Sequence, residues 1–168
     1  MKFLIKKNSH YSNRFISKLF SIIQVKNTVS YLVKFDDSCI YKLPKEDQGD
    51  INKLFGFSLG LHHKNSARFG WCWLNDQLRL YAYWYDNGVR KSKEIQSITI
   101  GKKYLLTIEN LNTEWKFSII DFYGDGVQEL VVEKSKSKIN FGYTLWPYFG
   151  GNQVAPHDIT IELVDFND

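Results

Sequence analysis

Residues Leu54–Tyr85 read LFGFSLGLHHKNSARFGWCWLNDQLRLYAYWY. Three runs of alternating side chains are separated here by short polar turns. Alternation with period two marks a strand, because successive residues point to opposite sides of a sheet. In the first run Phe55, Phe57, Leu59 and Leu61 fall on one face, with Ser58, Gly60 and His62 on the other. In the second, Phe69, Trp71 and Trp73 oppose Arg68, Gly70 and Cys72. In the third, Leu78, Leu80, Ala82 and Trp84 oppose Arg79, Tyr81, Tyr83 and Tyr85. One face is apolar enough to be core. The other combines arginines and tyrosines with glycines small enough to leave a floor, so it is the candidate functional surface.

The same pattern extends outward in both directions. Phe3–Lys7 and Val29–Asp36 read as strands, and Lys42–Asn52, with Pro44 and Gly49, reads as a polar loop. Between them Phe15, Ile16, Leu19, Phe20 and Ile23 recur at helical spacing, with Ser12 or Asn13 as a cap. That spacing predicts a short amphipathic helix; the competing reading is an irregular edge segment with one strand near Ile22–Val25. Downstream, Asn87-Gly88 suits a tight turn. Strands then follow at Ile95–Ile100, Tyr104–Glu109, Trp115–Ile120, Val127–Glu133, Phe141–Phe149 and His157–Val164. Short strands at regular intervals, without a repeat, predict an all-β, single-domain antiparallel β-sandwich or barrel with little helix, of which the sandwich is the expectation carried forward. Residues 1–28 form an N-terminal segment packed on a sandwich spanning residues 29–168.

Composition agrees. The chain has 168 residues, 16% of them aromatic, which favours strands and is long enough for a core without disulfide staples. Cys39 and Cys72 are the only cysteines and read as small buried thiols. A net charge of +4 from dispersed lysines permits an acidic partner without demanding one. The start MKFLIKKNSHYSNRF is not a secretory signal, since its apolar run is too short, and no segment is long enough to span a bilayer. The expectation is a soluble chain of undetermined compartment and oligomeric state.

HHKNSARFGWCW, LRLYAYWYDNGVR and LWPYFGGNQVAPHDITIEL resemble a group of small uncharacterised β-proteins typical of Bacteroidota genomes, over roughly residues 30 to 164. The fold that resemblance implies is similar to the concanavalin A-like lectin/glucanase jelly roll. Glycan often occupies a concave sheet face in such folds, so the resemblance implies carbohydrate as a ligand. The Glu-x-Asp-x-x-Glu strand of the glucanases is missing here.

Arg79, Tyr81, Tyr83 and Tyr85 are the first site candidates, because sugars offer polar edges and apolar C–H faces to aromatic rings flanked by hydrogen-bonding groups. The bland alternative is an ordinary sheet stabilised by tyrosine pairs. His62 and Arg68 join that face. His63 would project oppositely in a strand and satisfy the turn, so a zinc site is disfavoured. Trp146 and Tyr148 share a parity and extend the platform, or else shape a hairpin corner with Gly150-Gly151.

Asp121, Asp125 and Glu129 flank a Gly-Asp-Gly turn that resembles a calcium loop. Tyr123 and Val132 replace expected ligands, so a plain hairpin is the favoured reading, and no cofactor is expected beyond that calcium option. No nucleophile elbow, P-loop or dinucleotide fingerprint occurs, and the acidic residues are not paired as a glycosidase requires. With only Arg68 and Arg79 as cations on the face, nucleic acid ranks low as a partner.

The expected function is non-enzymatic carbohydrate binding by the aromatic–arginine face. The rival class is a structural or protein-interaction module of a larger surface or virion assembly. A third is a polysaccharide lyase or hydrolase, with Tyr81 or Tyr83 as acid/base and Arg79 neutralising a uronate.

Overall fold

The computed structural model describes residues 1–13, 22–24, 27–124, 126–137, 139 and 141–166. Twelve strands are defined there: β1 (Lys2–Ile5), β2 (Ile22–Gln24), β3 (Thr28–Phe35), β4 (Asn52–Ser58), β5 (Ser66–Leu74), β6 (Gln77–Asp86), β7 (Val89–Ile98), β8 (Lys103–Asn110), β9 (Glu114–Asp121), β10 (Val127–Glu133), β11 (Phe141–Leu145) and β12 (Ile159–Asp165). They form two six-stranded sheets, β1-β12-β3-β8-β9-β10 and β2-β11-β4-β5-β6-β7, with every defined pairing antiparallel. The expected all-β sandwich is what forms. A 3₁₀ turn at Asp37–Cys39 is the only helical element among the described residues. Most of the helix predicted from Phe15 to Ile23 lies outside the described residues, and Ile22–Gln24 is a strand.

The core lies between the sheets, and its aromatic rings interlock across the gap. Phe35 of β3 meets Trp71 of β5 at 5.5 Å, Tyr31 meets Phe55 at 4.8 Å, Trp115 meets Phe57 at 5.3 Å and Phe117 meets Phe69 at 5.3 Å. These tilted and edge contacts are the geometry that ring quadrupoles favour. The alternation in β5 and β6 holds throughout: Phe69, Trp71, Leu78, Leu80 and Ala82 are shut off from solvent, and Trp73 packs at the core's edge. Both cysteines are buried and free.

In the first run Phe55, Phe57 and Leu59 are buried on the predicted face, while Leu54 and Leu61 break the alternation. Lys53 pairs with Gly70 and Gly56 with Arg68, so Leu54 and Phe55 together oppose the single residue Phe69. That is a β-bulge, which inserts one residue and exchanges the faces on either side of it. Leu54 and Phe55 are both fully buried as a result. Leu61, expected in the core, is 70% exposed because the strand has already ended at Ser58. The glycine floor is also partly filled. A Cβ on Gly70 would stand 2.4 Å from Cγ2 of Ile51, so the loop before β4 lies on the outer face at that point.

Candidate functional site

The outer face of the β2-β11-β4-β5-β6-β7 sheet carries a groove of about 690 Å³. Its floor is Arg68 on β5 with Tyr83 and Tyr85 on β6, which β-pairing places side by side: Arg68 opposes Tyr83 and Ser66 opposes Tyr85. One wall is built by β11 and the residues after it, through Tyr143 and Tyr148. Tyr148 pairs with both Tyr11 and Lys53 in isolated bridges, which brings the N-terminal segment to the rim. There Tyr11 meets the Tyr148 ring edge-on at 5.2 Å, and His10 stacks on it at 5.1 Å.

The opposite end is closed by the turn between β4 and β5. Lys64 and Asn65 donate their backbone N–H groups to the Leu61 carbonyl, so residues 61 to 65 form a turn and the alternation rule does not apply to them. His62 and His63 therefore lie side by side, ring centres 4.0 Å apart, and both line the groove. The opposite projection that a strand would impose on them therefore does not apply. The His62 ring and backbone N–H both meet the Tyr143 phenol, while His63 packs edge-on against Tyr85 at 5.3 Å.

Among the described residues, the cations Arg68 and Lys53 line the groove, and Arg90 acts on Lys53 and Tyr83 from beside it. Arg68 donates from Nη2 to the Trp146 carbonyl at 2.7 Å, while its Nε is shut off from solvent and has no hydrogen-bond partner. Lys53 donates to the Gly150 carbonyl at 2.9 Å, with its ammonium 5.3 Å from the Tyr83 ring centre and 5.8 Å from that of Tyr148. Burial, then the neighbouring Arg68, pulls the Lys53 ammonium down to about 8. Burial also lowers the Arg68 guanidinium, to about 10. The His62 imidazole is held down to about 4 by burial, then by His63 and Arg68, so it is neutral at physiological pH. Burial and the neighbouring Tyr85 push the Tyr83 phenol up to about 12.

The proposed arginine–tyrosine face is thus divided. Tyr83, Tyr85, Arg68, His62 and Tyr148 line the groove. Arg79 and Tyr81 do not: Arg79 forms an ion pair with Glu94 at 3.2 Å, and the Tyr81 phenol bridges Cys72 at 3.6 Å and Glu94 at 3.4 Å. Trp146 contributes its carbonyl but not its ring, which stacks on Phe3 at 5.4 Å inside the core. The parity argument that joined Trp146 to Tyr148 breaks down because β11 ends at Leu145, one residue before it. Lys53, Tyr143 and Tyr11 line the groove without having been signalled by alternation.

The calcium option finds its acidic residues otherwise engaged. Asp121 accepts from the Tyr123 N–H and pairs with Lys102, and Glu129 pairs with Lys116 at 2.8 Å. Ladder register sets them on opposite faces of their sheet, since Glu129 opposes Ser118 while Asp121 shares the parity of core residues Phe117 and Ile119. Asp125 lies outside the described residues. No cluster of three or more His, Cys, Asp or Glu suited to a metal occurs among the described residues.

No family model matches the sequence, and no curated protein does. Solved structures do share the fold. The chain is similar to an alginate lyase from Klebsiella pneumoniae, with a TM-score of 0.63 and 10% identity over 82% of this chain and 58% of that one. It thus spans little more than half the length of the lyase. A protein of unknown function from Saccharomyces cerevisiae gives a TM-score of 0.53 at 8% identity, covering 86% and 72% of the two chains. Scytalido-glutamic peptidase, solved with a transition state analogue inhibitor, gives 0.51 at 8% identity, covering 97% and 78%. The sandwich is concanavalin A-like. At these identities the likeness is one of fold, which hosts many chemistries, and it does not bear on the Bacteroidota grouping. No helix among the described residues is long and apolar enough to cross a membrane.

Proposed function

We propose that the groove binds carbohydrate. The observation that carries this reading is the grouping of Tyr83, Tyr85, Tyr143 and Tyr148 around Arg68 and Lys53 in one concave site of glycan-accommodating size. Phenol rings match the C–H faces of sugars, while the guanidinium, ammonium and hydroxyl groups match their polar edges. Among the described residues no Asp or Glu lines the groove, so the two carboxylates of a glycoside hydrolase are not supplied by them. The test is calorimetric titration against a panel of polysaccharides with the wild type and Tyr83→Ala. Saturable binding that the substitution weakens is expected; heat of dilution alone across the panel would exclude the function.

One feature favours a second reading. His62 and Tyr143 are hydrogen-bonded to one another at the groove wall and share the site with Arg68. A neutral imidazole and a phenol beside a cation are groups suited to moving a proton next to a sugar carboxylate, as β-elimination requires. The fold shared with an alginate lyase is compatible with that chemistry. The acid/base and neutralising roles first given to Tyr81 or Tyr83 and to Arg79 then pass to His62, Tyr143 and Arg68. Formation of an unsaturated, ultraviolet-absorbing product from alginate or pectin, lost in His62→Ala, would support it. A flat absorbance trace with both substrates would remove it.

A further inference from the structure

Arg68 and Lys53 share the groove, where burial disfavours the charge of both and Arg68 further disfavours that of Lys53. Burying cations is costly unless an opposite charge compensates. Among the described residues neither side chain forms a salt bridge, although pairs are made elsewhere by Arg79, Lys91, Lys102 and Lys116. Asp50 is the acidic group that acts on Lys53, and it does so more weakly than burial or Arg68. The Arg68 Nε–H is buried without an acceptor while its Nη2 is already committed to the Trp146 carbonyl. Phenols surround the pair and contribute no formal negative charge at neutral pH.

We propose that Arg68 and Lys53 form a seat for an anionic substituent, so that the glycans bound are those carrying carboxylate or sulfate groups. This rests on the carbohydrate reading and narrows it. The Arg68 fork offers the directed donor that a planar or tetrahedral oxyanion accepts, and Lys53 adds a point charge held over the tyrosine rings. In a site already partly desolvated their attraction for an anion is stronger than on an open surface. The lowered Lys53 ammonium fits this geometry: an arriving anion restores the proton affinity that burial and Arg68 have removed.

The experiment is calorimetric titration of the full chain with four probes: polygalacturonate for carboxylate, a sulfated galactan for sulfate, an uncharged galactan, and polyglutamate as a non-glycan polyanion. Expected is binding of at least one charged glycan about tenfold or more tighter than the uncharged one, weakened by salt and weakened about tenfold in Lys53→Gln. Which charged glycan binds tells carboxylate from sulfate. Arg68→Lys, which keeps the charge but loses the fork, is expected to weaken binding as well, while Lys53→Gln carries the test should the Arg68 variant not fold. Equal binding of the uncharged galactan, unchanged in Lys53→Gln, would overturn the seat and leave the carbohydrate reading standing. Lys53-dependent binding of polyglutamate and of no glycan would uphold the seat and overturn the carbohydrate reading. Absence of binding to every charged probe would overturn the seat.

Discussion

The Tyr143 phenol oxygen accepts the backbone N–H of His62 and is also hydrogen-bonded to its ring Nδ1, fastening β11 to the turn between β4 and β5. One hydroxyl thus holds the two ends of the groove wall together and orients the imidazole. Burial, His63 and Arg68 hold that imidazole down to about 4. A histidine whose folded value lies below its unfolded value of about 6.5 binds fewer protons when folded.

Stability should therefore fall with acid between about pH 6.5 and about pH 4, and His62 should contribute no pH dependence above that window. The ring is only half-buried, so solvent screening keeps the effect smaller than the full shift implies. Urea unfolding at pH 7.0 and 4.5 measures it. His62→Gln is expected to reduce the difference between the two conditions, and the same slope in both proteins would contradict the assignment.

Loss of the Tyr143 hydroxyl alone should be mild for folding. Tyr143→Phe keeps the ring and removes one partner of His62, a change of about 0.5–1.5 kcal/mol in denaturant unfolding. By contrast, Trp71→Ala should cost about 3–5 kcal/mol. Trp71 is wholly buried and touches Phe35, Tyr41 and Phe149, so no neighbour can readily fill the space. Similar midpoints for the two variants would show that the core is not where the rings place it.

The core was legible because β5 and β6 are regular: nine consecutive residue pairs keep their alternation from Ser66↔Tyr85 to Leu74↔Gln77. The groove was only half legible. Lys53 counts onto the face of Phe55 and Phe57 unless the bulge at Leu54–Phe55 is recognised. The sequence holds a cue, two adjacent apolar residues followed by Gly56, but such a triplet also fits an unbroken buried strand. Tyr143 and Tyr11 reach the site through β11 and an isolated bridge, pairings between segments far apart in the sequence that local periodicity does not encode. Trp146 misled for the complementary reason, since parity was carried past the end of a strand.

The bulge itself is testable through Gly56. A Cβ there would stand 2.0 Å from the Ala67 carbonyl oxygen and 2.6 Å from the Arg68 Cα, both backbone atoms that cannot turn aside. Gly56→Ala should cost about 3 kcal/mol or more and lower the soluble yield. Gly49→Ala, where nothing lies within 4 Å, is the matched control and should shift the melting temperature little. Equal melting temperatures would mean that β4 and β5 do not approach as closely as the register requires.

The sharpest prediction separates two tyrosines that alternation treats alike. Tyr81 and Tyr83 are neighbours on one face of β6, yet Tyr83 lines the groove while Tyr81 is tied to Cys72 and Glu94 outside it. If the groove binds glycan, Tyr83→Ala should weaken affinity about tenfold, equivalent to about 1.4 kcal/mol. Tyr148→Ala, on the groove wall and more exposed, should do likewise and guards against loss of binding through misfolding. Tyr81→Ala and Arg79→Ala should leave affinity within about twofold; the Arg79–Glu94 pair is partly exposed, worth about 0.2–1 kcal/mol to folding. Circular dichroism on each variant checks the fold, and calorimetry with a bound polysaccharide reads the affinity. Equal losses at Tyr81 and Tyr83 would relocate the site to the whole sheet face. A loss at Tyr81 alone would move it to the Arg79–Glu94 end, where the groove does not reach.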